Sequence, residues 1–195
     1  IVDSLGKFVK NASFSLEGSK ITDFCIIPLR IGRNSYDLSN DVWFKESNNF
    51  HEVVIMSPFI SADVISLFNN EIRGKYLGSC KRTLITRTSE LSKLSNNTAG
   101  NFEIYTMKDG IVDGENELSD GDVSEVIRRQ DIHAKMLLFR KNGFSSVYMG
   151  SMNVSHNGMY RNVELDIRFD CPNFYLGPDR FLAEVFGNNP LKNPF

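Results

Sequence analysis

Apolar residues follow two rhythms along the chain. "FHEVVIMS" (50–57) is a β-rich run halted by Pro58, and behind it "SADVISLFNNEIRGK" repeats Val64, Ile65, Leu67, Phe68 and Ile72 at helical spacing, with Ser61 as N-cap. "KRTLITR" (81–87) predicts a strand, "TSELSKL" (88–94) a short helix, "SNNTAG" a loop and "NFEIYTM" (101–107) a further strand. Strands alternating with helices at this spacing predict an α/β domain: a mixed, largely parallel central sheet with helices on both faces. From residue 131 the helices drop out. Strands follow closely at 131–140, "SSVYMG" (145–150) and "NVELDIRF" (162–169), and Asn142-Gly143 is a hairpin turn signal. "GPDRFLAEVFGNN" predicts a closing helix with Phe181, Leu182, Val185 and Phe186 inward. In the first 50 residues "DFCIIPLRI" is strand-like and "GRNSYDLSND" polar. They predict an extension over 1–50 packed on a domain spanning 51–188, with 189–195 as a tail.

Composition changes this picture in three places. The 195 residues, 41% of them hydrophobic, are enough for one domain with a sizeable core. No run nears the roughly 18–20 apolar residues of a membrane span, and Asp3 and Lys7 stand where a signal peptide would be apolar. A soluble, cytoplasmic protein without a membrane partner is expected. Position 1 is Ile rather than Met, which fits a piece or processed product of a longer chain. Cys25, Cys80 and Cys171 are far apart and form no C-x-x-C pair, so free, buried thiols are expected. The net charge of −2 argues against a general nucleic-acid binder, but residues 109–125 hold seven acidic side chains and no basic one. Without them, 22 basic face 17 acidic residues: one acidic loop masks a mildly basic body.

Candidate chemistry begins with "DIHAKMLLF" (131–139). On a strand, His133 and Lys135 point to one face, about 7 Å apart. One hairpin later, "GSMN" (150–153) offers Gly150 for a tight exit, with Ser151 or Asn153 as a helix cap bearing a hydroxyl, an amide and backbone N–H groups; these are anion-binding parts. In "RNVELD" (161–166), Asn162, Glu164 and Asp166 share a strand face, from which a carboxylate could bond the far nitrogen of His133. No carboxylates cluster at metal-ligand spacing around these motifs, so neither a metal nor a cofactor is expected.

The order "IHAKMLLF", "GSMN", "RNVEL" resembles the phospholipase D superfamily, whose motif is His-x-Lys with a following Asp, then Gly-Ser-x-Asn, then a downstream Glu. "VVIMSPFIS" and "TLITR" resemble that family's first two strands, and the likeness covers roughly residues 51–186. The sequence departs from the motif at Arg140, where the family has an Asp thought mainly structural. The resemblance implies that His133 is the nucleophile, forming a phosphohistidine, and that Lys135, Ser151 and Asn153 hold the non-bridging oxygens, with Glu164 completing the catalytic set. It implies a phosphodiester hydrolase of the nuclease branch, similar to the catalytic domain of metal-independent restriction endonucleases.

One imidazole cannot be both neutral nucleophile and cationic acid, so a second is required. The motif occurs once, His51 has no following Lys, and His156 lacks a phosphate-binding set of its own. A homodimer presenting two copies of His133 is therefore expected, with DNA as the preferred partner. Arg87 and Arg161 are the best candidates to hold substrate, with Asn162 beside them; Arg73, Lys75, Lys81, Arg82, Arg128 and Arg129 could extend a backbone-binding groove. The acidic loop is either a shielding lid or a solvated segment. Two competing readings are a noncatalytic module for dimerisation or DNA binding, and a phosphodiesterase acting on phospholipid.

Overall fold

A computed structural model describes Lys7 and residues 16–30, 50–71, 80–107 and 133–187. The acidic stretch 109–125, Arg128, Arg129, Ile72, Arg73, Lys75 and the tail 189–195 lie outside the described residues. Seven strands form one sheet: β1 (Asp23–Leu29), β2 (Glu52–Met56), β3 (Lys81–Arg87), β4 (Glu103–Met107), β5 (Met136–Lys141), β6 (Phe144–Gly150) and β7 (Glu164–Pro172). Their spatial order is β1-β7-β6-β5-β2-β3-β4. Between them run α1 (Ala62–Glu71), a 3₁₀ turn (Thr88–Lys93), α2 (Asn96–Ala99), α3 (His156–Tyr160), α4 (Asn173–Leu176) and α5 (Pro178–Phe186).

The sheet is mixed, as expected, and its directions have a simple origin. β2, β3 and β4 pair in parallel because a crossover separates each from the next, while the four other neighbouring pairs are antiparallel. Even so, only β5 and β7 run against the other five strands. β1, read from sequence as part of an extension, is hydrogen-bonded to β7 along its whole length, and its Ile27 and Leu29 are buried in the core.

Alternation along the central strands splits the core in two. Val53, Ile55, Leu84, Leu137 and Phe139 meet α1 through Val64, Ile65 and Phe68 on one face. Val54, Met56, Ile85, Met136 and Leu138 meet Phe181, Leu182 and Phe186 of α5 on the other. Coverage of both faces is why β2 reads as an unbroken apolar run. The turn between β5 and β6 has positive φ at Asn142 (46°) and Gly143 (88°), as its Asn-Gly sequence requires. The segment expected to be a loop forms the single helical turn α2, because the Ser95 hydroxyl accepts the Thr98 N–H. Among the described residues no helix is long and apolar enough to cross a membrane. Cys80 and Cys171 are buried and Cys25 partly so, all as free thiols; burial pushes the Cys80 thiol up to about 11.

Candidate active site

The ends of β2, β3 and β6 and the starts of β5 and β7 share one edge of the sheet, where the chain leaves or enters strands and side chains converge. The strand expected at 131–140 begins only at Met136, so His133 and Lys135 lie on its lead-in rather than within it. Pro58 accounts for the late start. It follows the end of β2 and has no N–H, and the ladder closes at Met56 opposite Met136. The two side chains consequently differ in setting: His133 is exposed, whereas Lys135 is 6% exposed and its Nζ donates to the His133 carbonyl at 2.7 Å.

Beyond β6, Gly150 meets β7 so closely that a Cβ there would stand 2.1 Å from Asp166 Oδ1 and 2.3 Å from the Leu165 carbonyl. Only glycine fits, and the close approach lets the next two residues bond β7. The Ser151 N–H donates to the Leu165 carbonyl (3.2 Å), and the Met152 N–H to Asp166 Oδ1 (3.1 Å). The Ser151 hydroxyl donates to Glu164 Oε2 at 2.5 Å and accepts the Leu165 N–H at 3.0 Å. Asn162 Nδ2 donates to the other Glu164 oxygen at 3.2 Å. Glu164 is thus a buried carboxylate with both oxygens engaged, 8% exposed.

Two sequence expectations need correction here. Neither Ser151 nor Asn153 caps a helix: Ser155 caps α3, because the hairpin onto β7 commits the Ser151 hydroxyl to Glu164. Nor does the Glu164 carboxylate reach His133, whose ring makes no hydrogen bond to a described residue; Ser151 and Asn162 lie nearer along the same edge and occupy both oxygens. Asn153 Oδ1 is shielded from solvent and has no hydrogen-bond partner among the described residues. Gly158 presses on that residue's backbone, since a Cβ at 158 would stand 2.3 Å from the Asn153 carbonyl.

Several supports were not legible in the sequence. Asp166 is 3% exposed and shares a small cavity with Lys135, Gly150 and Met152. Burial pushes its carboxyl up, Glu164 adds to this, and the Met152 and Ser151 N–H groups and Lys135 oppose it. Arg30 follows β1, and its guanidinium donates to the carbonyls of Gly158 (2.6 Å), Met159 (2.7 Å) and Asn162, so it ties α3 to the strand carrying Glu164. These contacts span about 130 residues of sequence, and no local pattern announces them. Ser57, fully buried, accepts the Val154 N–H at 3.0 Å and anchors the "GSMN" loop to the end of β2.

The candidate substrate-holding residues differ in placement. Arg87 ends β3 at this edge, with its Cζ 4.3 Å from the Phe59 ring centroid. Arg161 is exposed at the end of α3 beside the exposed Asn162. Lys81 and Arg82 begin β3 at the opposite edge, so they do not extend a groove from the site. His51 lies at that far edge too, its Nε2 3.3 Å from Asn142 Oδ1. His156 Nδ1 lies 2.7 Å from Asp63 Oδ2, joining the starts of α3 and α1. Arg140, in place of the motif Asp, stands near the far end of β5, 3.2 Å from Glu52 and 3.3 Å from Asp179.

No family model and no curated relative matches the sequence. Among solved structures, the fold is similar to NucT from Helicobacter pylori (TM-score 0.45, 13% identity, 88% of this chain and 96% of that one). It is similar also to Nuc from Salmonella typhimurium, a phospholipase D family member (TM-score 0.42, 9% identity, 83% of this chain and 91% of that one). A third similar structure is TrmBL2, an archaeal chromatin protein with a novel mode of DNA binding (TM-score 0.42, 9% identity, 94% of this chain and 58% of that one). Identities of 9–13% leave the chemistry to be read from the site itself.

Proposed function

We propose that the chain is a phospholipase D-type, metal-independent phosphodiesterase that cleaves DNA in a homodimeric active site, as the catalytic part of a restriction or defence enzyme of the cytoplasm. One observation carries this reading: an exposed imidazole, a buried ammonium and the hydroxyl and amide side chains of a glycine-fixed loop meet at one sheet edge. In the first step the unprotonated nitrogen of His133 forms a bond to phosphorus. The P–O bond to the leaving oxygen breaks, and that oxygen takes a proton from the partner's His133 as imidazolium. Water then attacks the phosphohistidine, the partner's His133 accepts its proton, and the P–N bond breaks. Both copies return to their starting states.

Lys135 and Asn153 stabilise charge on the phosphoryl oxygens, each by roughly 2–4 kcal/mol in a site that excludes water. Ser151 has a double allegiance. While its hydroxyl donates to Glu164 it cannot donate to phosphate. A turn of Glu164 toward His133 would orient the nucleophile and release the hydroxyl in one movement.

Incubating the protein with plasmid DNA in excess EDTA, beside a His133→Ala variant, tests the proposal. Cleavage by the native chain alone supports it; equal cleavage by both, or by neither, overturns it. The His133 ring, which makes no hydrogen bond to a described residue, favours a second reading, a noncatalytic module for dimerisation or DNA binding, for which neither protein cleaves and both bind DNA.

A further inference from the structure

Along the loop after β2, burial has one exception. Ser57 is fully buried and Ile60 is 2% exposed, yet Phe59 between them is 39% exposed. An aromatic ring in water at a loop tip is usually mobile, and this one is braced on both sides. The Ser57 hydroxyl donates to the Phe59 carbonyl at 2.7 Å. The next N–H, that of Ile60, donates to Glu90 Oε2 at 2.7 Å, and Glu90 is itself 7% exposed. Lys93 neutralises that carboxylate at 2.6 Å and donates to the Ile60 carbonyl at 3.4 Å. Committing a buried carboxylate to this peptide holds the backbone on which the ring is mounted. Arg87, on the next strand, lays its guanidinium over one face of the ring at 4.3 Å.

The stack lies beside the candidate phosphate site. Phe59 comes three residues after Met56, and His133 three residues before Met136, its ladder partner. The two therefore leave adjacent strands at the same edge, about one strand spacing of ~5 Å apart at their origin, with Arg87 one strand further on. A planar, partly exposed ring backed by a cation is the surface on which an unpaired base stacks, because every base offers a π-face.

Resting on the reading of the site as a phosphodiesterase, we infer that Phe59 and Arg87 form a platform for an unstacked nucleobase of the strand whose phosphate enters at His133. The site then takes a nucleic-acid strand locally freed from its duplex stack, in preference to a phosphodiester without bases. Base contact also gives Arg87 a role different from phosphate binding: it polarises and holds the ring.

The test compares a short deoxyoligonucleotide containing 2-aminopurine with an otherwise identical abasic one, using the whole chain with His133→Ala as background so that neither strand is cut. The expected result is tighter binding of the base-bearing strand, roughly 5- to 150-fold for one stacked base, with quenching of the 2-aminopurine emission. Phe59→Leu, which keeps apolar bulk without a π-face, should bring the affinity ratio toward one and restore emission, whereas Phe59→Trp should retain both effects. Thermal melting of each variant shows whether it is folded. An unchanged ratio in Phe59→Leu, or no base preference with Phe59 in place, overturns the inference. The outcomes separate from those of the cleavage assay: Phe59-dependent base preference without cleavage sinks the phosphodiesterase reading alone, and cleavage without base preference sinks the platform alone.

Discussion

Replacing Gly150 by alanine adds a single methyl group where two strands nearly touch. The new Cβ would stand 2.1 Å from Asp166 Oδ1, 2.3 Å from the Leu165 carbonyl and 2.6 Å from the Asp166 Cα, against ordinary contacts of about 3.5 Å. Relief requires β6 and β7 to part locally by more than about 1 Å, and two of the three clashing atoms are backbone, which no rotamer change can move. β7 cannot retreat, because β1 is hydrogen-bonded along its other side. Overpacking of this kind costs about 1–3 kcal/mol. The bond from the Met152 N–H to the Asp166 carboxylate is lost with it, worth about 1.5–3 kcal/mol for a charged acceptor. The two losses overlap, and a net destabilisation of about 3 kcal/mol corresponds to a fall in Tm of roughly 6–12 °C for a chain of this size. Urea titration and thermal melting followed by circular dichroism measure both. Gly100→Ala is the control. That glycine is already helical (φ −62°) and its added Cβ lies 3.2 Å from the Asn96 carbonyl, so its effect should stay within about 1 kcal/mol of zero. Well below its own Tm, Gly150→Ala should also lose cleavage by about 100-fold, since a displacement near 1 Å misplaces Ser151 and Asn153. A Gly150→Ala protein that melts within about 2 °C of the native chain would refute the reasoning.

Two carboxylates near the site should respond to pH with opposite signs. Asp166, pushed above 3.8 chiefly by burial, binds its proton more tightly folded than unfolded; its cost is absent below 3.8 and grows as pH rises through the folded value. The stability of Asp166→Asn relative to native should therefore improve with pH in urea titrations between about pH 3 and pH 7, and a constant difference would count against the burial argument. Asp63, held below 3.8 chiefly by the Ser61 hydroxyl, contributes stability above 3.8 that is lost as pH falls through its folded value. Asp63→Asn should accordingly lag native most at neutral pH and converge with it in acid; a gap that widens on acidification would be the wrong sign. Arg140→Asp, which restores the motif residue, should destabilise by about 2 kcal/mol, between the limits for exposed and buried pairs, because it sets a carboxylate beside Glu52 and Asp179. A rise in Tm for Arg140→Asp would show that the far-edge charges are misjudged.

What was legible in the sequence is what local rules decide. The hairpin at Asn142-Gly143 and the inward face of α5 follow from residues a few positions apart; the hairpin stands in the structure, and Phe181, Leu182 and Phe186 of the face pack on the core while the expected Val185 does not join them. The gathering of His133, Lys135, Ser151, Asn153 and Glu164 at one edge followed from motif order on consecutive antiparallel strands. Partners within the site were less legible, because they depend on competition. Glu164 has three polar groups along its edge, and it takes Ser151 and Asn162, a choice set by how separate strands end together and not by neighbouring residues in sequence. Arg30 escaped for the same reason: its partners are carbonyls about 130 residues away, brought near by the pairing of β1 with β7, and nothing within a dozen residues of it records them.

Arg140 shows why a departure from a motif has to be judged by its surroundings. The register of β2 places Glu52 between Lys81 and Arg140, so that a carboxylate only 4% exposed meets one cation on each neighbouring strand, both at 3.2 Å. An aspartate at 140 would leave Glu52 with Lys81 alone and put like charges in adjacent strands. The arginine is therefore matched to Glu52, and the two residues make sense only together. His133 and Arg140 are seven residues apart on a nearly extended chain, about 20 Å or more. Over that distance neither charge compensates the other, and the substitution at 140 bears on the packing of β5 against β2 while the imidazole, ammonium and loop at the opposite edge keep their own supports.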